Sequence, residues 1–116
     1  MNEEKQLFEN DCVFCDLSKI KGVLTYDQES VMFVPLNPVV EGHVCIAPIM
    51  HVADFTENPD ISARIMEIAA GIAKRLGGDY NLITSKGKAA TQSIMHLHVH
   101  LIPRKEGDGL HLPWTG

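Results

Sequence analysis

The spacing of apolar positions along this chain changes several times, and each change marks an element. Between residues 23 and 35, Val, Thr, Tyr and Phe flank the polar Asp27-Gln28-Glu29, which predicts a hairpin of strands at 23–26 and 30–35. Asn37-Pro38 and Glu41-Gly42 form a connection into His43-Val44-Cys45-Ile46-Ala47, a third, buried strand whose apolar run ends at Pro48. Asn58-Pro59 opens the clearest helix, because Asn caps free amides and Pro suits the first helical position. Ile61, Ile65, Ile68, Ile72 and Leu76 draw one apolar stripe along it, and Gly77-Gly78 supplies the stop. A fourth strand is predicted at Tyr80–Thr84, a loop at Lys86-Gly87-Lys88 and a last strand from Met95 to Ile102, ended by Pro103. These elements amount to an α+β chain, an antiparallel sheet of about five strands with one long helix on one face and a short N-terminal helix or turn.

The last strand carries the strongest chemical signal. In His96-Leu97-His98-Val99-His100-Leu101-Ile102, polar and apolar residues alternate with period two. Successive side chains of a strand point to opposite faces, so the three imidazoles share one face and Leu97, Val99 and Leu101 the other. A helix would bring His96 and His100 together but turn His98 away and split the apolar set. Three aligned imidazoles beside a Gly-containing turn suit acid–base, nucleophilic or ligand chemistry.

Composition narrows the possible partners. The chain has 116 residues, enough for one domain spanning 1–116, and its 45% apolar content allows a core. A net charge of −5 argues against a broad grip on a nucleic-acid polymer or an anionic membrane. The polar, acidic first residues lack the pattern of a secretory signal, and no apolar run is long enough for a bilayer, so a cytoplasmic protein is expected. Cys12 and Cys15 are spaced C-x2-C, which by itself fits redox chemistry, metal ligation or two buried thiols. Cys45, alone in an apolar run, reads as a small buried hydrophobe.

The stretch from Ser85 to Arg104, with His96, His98 and His100 at its centre, resembles the signature of the histidine triad family. Upstream, Phe33-Val34-Pro35-Leu36-Asn37-Pro38, then Glu41-Gly42-His43-Val44 and Pro48-Ile49-Met50-His51 follow the family's order, so the resemblance covers nearly the whole chain. It implies the histidine-triad fold and a hydrolase or nucleotidyl transferase acting on the α-phosphate of nucleotide conjugates. Nucleoside phosphoramidates and dinucleoside polyphosphates are the substrate classes implied, with a covalent nucleotidyl-histidine on His98. By the same resemblance His100 and Ser93 assist catalysis, and Gln92, Ser85, Asn37, His43 and Trp114 contact substrate. The family often has Asn at the position of Ser85, Gly at that of Thr91 and, at that of Pro35, an Asp that holds the ribose hydroxyls.

Some branches of the family also carry a structural zinc. The matching ligands here are Cys12, Cys15, His51 and His96, a closed set that leaves no position for water. The resemblance further implies a homodimer covering the long helix and the strand near Tyr80–Thr84, with the C-terminal segment around Trp114 near an active site. A reading from another class is a zinc-stabilised nucleotide-binding or interaction module with little turnover, suggested by the absence of a carboxylate at Pro35.

Overall fold

Five strands pair into one antiparallel sheet in the computed structural model, which describes residues 12–112. They are β1 (Val23–Tyr26), β2 (Ser30–Phe33), β3 (Val44–Pro48), β4 (Asp79–Ile83) and β5 (Val99–Arg104), in the spatial order β1-β2-β3-β5-β4. The helix α1 (Pro59–Leu76) links β3 to β4. Two short 3-10 turns, Val13–Cys15 and Leu17–Lys19, precede the sheet, as the N-terminal helix or turn required.

Local chemistry sets the turns. The Asp27 carboxylate accepts hydrogen bonds from the backbone N–H groups of Glu29 and Ser30, each at 2.8 Å, which closes the first hairpin. At the start of α1 the Asn58 side chain accepts from the N–H groups of Asp60 and Ile61, and at its end Gly77 takes a φ of 71°. β3 shows why the sheet has two cores. Val44 and Ile46 pack with Ile65 and Ala69 of α1 and with Leu97, Val99 and Leu101, while Cys45 and Ala47 pack on the opposite face with Phe14, Ile20, Val31 and Phe33. Thus the helix covers one face and the N-terminal segment covers part of the other. No helix among the described residues is long and apolar enough to cross a membrane.

Several boundaries differ from those expected. The second strand ends at Phe33, so Pro35 lies beyond it, and the fourth spans 79–83. Leu76, expected on the buried stripe of α1, is 64% exposed; Ala69 and Ala73 take part in the core instead. The largest difference is in the last strand, which begins at Val99 and runs through Pro103 to Arg104. His96 and His98 therefore precede it. Their backbone is drawn elsewhere, since Leu97 N–H donates to the Val52 carbonyl at 2.7 Å and His96 N–H to that of Ile94 at 2.9 Å. Pro48, at the end of β3, has no N–H to extend the ladder. Pro103 is tolerated because β3 pairs only with Val99–Leu101, leaving the strand bonded to β4 alone at that point. Arg104 then holds the following turn through two bonds to Asp108, at 2.8 and 3.0 Å, and one to Asn81.

Candidate functional site

On the face away from α1, three histidines are joined to the backbone and to one another in a way that assigns a proton to each ring. His98 Nδ1 lies 2.8 Å from the His96 carbonyl. A carbonyl only accepts, so Nδ1 carries the proton and Nε2 keeps a lone pair. Thr84 Oγ1 donates to the His98 carbonyl at 2.8 Å, and the Phe14 ring packs against the imidazole at a centroid distance of 5.1 Å. The backbone is thus held on one side and the ring on the other.

A second chain of bonds orients His100. The Val39 N–H donates to His43 Nδ1 at 3.1 Å, which puts the His43 proton on Nε2, 2.9 Å from His100 Nδ1. His100 Nδ1 accepts that proton's hydrogen bond, and its own N–H is left at Nε2. Burial, reinforced by the neighbouring His98 and His43, holds the His100 pKa down to about 4, so the ring is a neutral donor near pH 7. Burial lowers His43 as well. His43, 4% exposed and expected as a substrate contact, lines the same cavity as His98 and His100 and donates to His100. Cys45 joins them, with Sγ 3.3 Å from His100 Nδ1 and a thiol pushed up to about 12 by burial. It is buried as expected, but its neighbour is a candidate catalytic residue, which an isolated cysteine in an apolar run gave no means of seeing.

His98 and His100 open into a cavity of about 480 Å³, within the range of small-molecule sites. Phe14, Ile20, Phe33 and Pro35 form an apolar wall, and Ser93, Asn37, Lys19 and Lys21 bring polar groups. A larger hollow of about 630 Å³ lies between α1 and the first hairpin, lined by no histidine or cysteine. The chemistry is therefore concentrated in the smaller cavity.

The other expected contacts divide. Ser93 and Asn37 line the cavity, whereas Ser85, in the loop after β4, does not. Gln92 is 6% exposed and its amide is committed to the loop, accepting from Gly87 N–H at 2.8 Å and donating to the carbonyls of Ala53 and Ile94. Its side chain shapes the turn that carries Ser93 and does not reach the cavity. Thr91 sits at a φ of 70°, the left-handed region where a β-branched residue costs on the order of 1–3 kcal/mol. Trp114 lies outside the described residues.

Cys12, Cys15, His51 and His96 converge beside this site, their ligand atoms all within 4.8 Å of one another. His96 Nε2 donates to the Pro48 carbonyl at 2.7 Å, which turns the lone pair of Nδ1 toward Cys12 Sγ at 3.3 Å and Cys15 Sγ at 3.5 Å. His51 Nδ1 is 3.3 Å from Cys15 Sγ. Tetrahedral zinc with bonds of about 2.0 Å to nitrogen and about 2.3 Å to sulfur separates its ligands by roughly 3.5 Å, so this set fits a metal with little movement.

Residues 18–107 match the HIT domain. The chain belongs to the histidine triad family. Histidine triad relatives include an uncharacterised HIT-like protein of Methanocaldococcus jannaschii, 35% identical, with 84% of this chain and 82% of the relative covered. An adenosine 5'-monophosphoramidase of Saccharomyces cerevisiae is 36% identical over 89% of this chain and 69% of its own length. An adenylylsulfatase of Arabidopsis thaliana is 34% identical; the match takes in 92% of this chain but 59% of that protein. Among solved structures, a HIT family hydrolase of Clostridium thermocellum superposes with a TM-score of 0.73 at 32% identity, covering 89% of this chain and 98% of that one.

Proposed function

We propose that this histidine triad protein is a nucleotide hydrolase that cleaves a phosphoramidate or related conjugate at its α-phosphorus through a covalent intermediate on His98. The observation that carries the reading is the pair of ring tautomers: the His98 lone pair on Nε2 and the His100 N–H on Nε2 both belong to a cavity with room for a nucleoside. The names of the yeast and Arabidopsis relatives support the same reaction class.

In the first step His98 Nε2 attacks phosphorus, a P–N bond forms, and the bond to the leaving group breaks with its electron pair, which takes up a proton from solvent. The proton on His98 Nδ1 stays in its bond to the His96 carbonyl, which stabilises the positive ring. His100 Nε2–H donates to a non-bridging oxygen as negative charge accumulates there, and the Ser93 hydroxyl adds a second donor. Water then attacks the same phosphorus, the P–N bond breaks, and the nucleoside monophosphate leaves while water's proton passes to solvent. Incubation with adenosine 5'-phosphoramidate and rapid acid-free mass detection is expected to find one nucleotidyl group on the peptide containing His98. Turnover without any such adduct under single-turnover conditions would point to direct attack by water.

Zinc held by Cys12, Cys15, His51 and His96 is part of the same proposal. Its chemistry there is structural, because four protein ligands leave no site for substrate or water. A homodimer is the remaining part. β4 is an edge strand, and Met66 and Leu76 of α1 and Ile83 of β4 leave 54%, 64% and 36% of their surface exposed, so a symmetric partner has both an edge and apolar area to cover. Sedimentation at micromolar concentration is expected to give about twice the chain mass, and a monomer alone would remove this part.

A further inference from the structure

Cys45 lines the catalytic cavity, yet the reaction above makes no use of it. It stands directly opposite His100 in the pairing of β3 with β5, so the two side chains leave the sheet side by side on one face. Its other neighbours are Phe14, Ile20, Val31, Phe33 and Ala47, an apolar cluster whose side chains offer the thiol no acceptor. Cys45 is 1% exposed, and among the described residues its side chain has one hydrogen-bond partner, His100 Nδ1 at 3.3 Å.

The ring fixes the direction of that bond. Val39 N–H occupies the lone pair of His43 Nδ1, and His43 Nε2–H points at His100 Nδ1 from 2.9 Å, so His100 Nδ1 carries no hydrogen of its own. A nitrogen without hydrogen cannot donate; the thiol is therefore the donor, with its S–H aimed at the ring. Burial keeps the thiol protonated, its pKa pushed up to about 12. Two donors thus converge on one lone pair. Each draws electron density toward Nδ1, which makes the opposite Nε2–H a stronger donor, and each opposes the tautomer with hydrogen on Nδ1. A thiol suits this place because it is buried as readily as a small apolar side chain, whereas a hydroxyl or amide loses more hydration.

We propose that Cys45 is a positioning residue for the reaction: its thiol, donating to His100 Nδ1, holds the ring in the tautomer whose Nε2–H stabilises charge on the phosphoryl oxygen. The catalytic consequence rests on the hydrolase reading above, and the bond itself on the resting geometry. If Cys45 served packing alone, Ala and Val would be tolerated better than Ser, whose hydroxyl has to be buried. A donor role reverses that order.

Two measurements on the intact protein separate these roles. In nitrogen NMR spectra of histidine-labelled protein without substrate, Cys45→Ala is expected to move the His100 Nδ1 resonance toward that of a nitrogen accepting fewer hydrogen bonds, and Cys45→Ser to restore it in part. With adenosine 5'-phosphoramidate, Cys45→Ala and Cys45→Val are each expected to lower kcat by about threefold or more, with KM changed by less than about twofold. Cys45→Ser is expected to keep more of the wild-type kcat than either. Thermal unfolding checks the fold of each variant, and Cys45→Val serves if the void left by Ala is not tolerated. An unmoved Nδ1 resonance on loss of the thiol, or a Ser variant no faster than Ala and Val, overturns the role and leaves the hydrolase intact. Absence of turnover in the wild type as well overturns the hydrolase reading and the catalytic role with it, while the spectra still decide the bond.

Discussion

Replacing His98 by Ala is expected to lower kcat at least about a thousandfold while changing nucleotide affinity by less than about tenfold. The asymmetry follows from what the ring touches. Its Nδ1 is bonded to the His96 carbonyl and one side packs on Phe14, so the substrate meets mainly Nε2. The apolar wall of Ile20, Phe33 and Pro35 and the donor His100 remain after the substitution. Steady-state kinetics with calorimetric titration of a nucleoside monophosphate separates the two effects. A variant that keeps more than a few per cent of the wild-type rate would remove His98 as nucleophile.

Removal of zinc, or the double change Cys12→Ser with Cys15→Ser, is expected to lower the Tm by on the order of 10 °C or more. The four proposed ligands come from the N-terminal segment, the loop after β3 and the segment before β5, so a metal there would tie the N-terminal segment to the other two, which the bonds of Leu97 to Val52 and Gln92 to Ala53 already join. A second consequence reaches the chemistry. The side chain of His96 is one of the proposed ligands and its carbonyl orients His98, so loss of the metal is expected to reduce kcat more than it raises KM. Metal analysis of freshly purified protein should find one zinc per chain, and the double variant none. Zinc absent from the native protein, or retained by the variant, would refute the assignment of these ligands.

Much of the architecture was legible because it rests on local chemistry. The Asp27 turn, the Asn58 cap, the isoleucine stripe and the Gly77 stop each act within a few residues, and the two-residue alternation around His98 is a property of extended chain whichever ladder it joins. The chain by itself therefore determined the number and kind of elements, the family signature, and which face of the histidine segment meets the core. What it left open was decided by partners distant in sequence. The start of β5 depends on Val52 and on Pro48, some fifty residues earlier, so periodicity extended the strand too far. The burial of Leu97 alongside His96 arises because each side of that segment meets a different layer, α1 on one side and the N-terminal turn on the other. Gln92 reads as a substrate contact in sequence but is used up by Gly87, Ala53 and Ile94 once the loop folds. The ring protons of His98 and His100 depend on a carbonyl two residues away and on a relay from Val39 through His43, which lie before β3, to the neighbouring β5. Cys45 reaches the cavity beside His100 through strand register, and register is a relation between strands that no single segment carries.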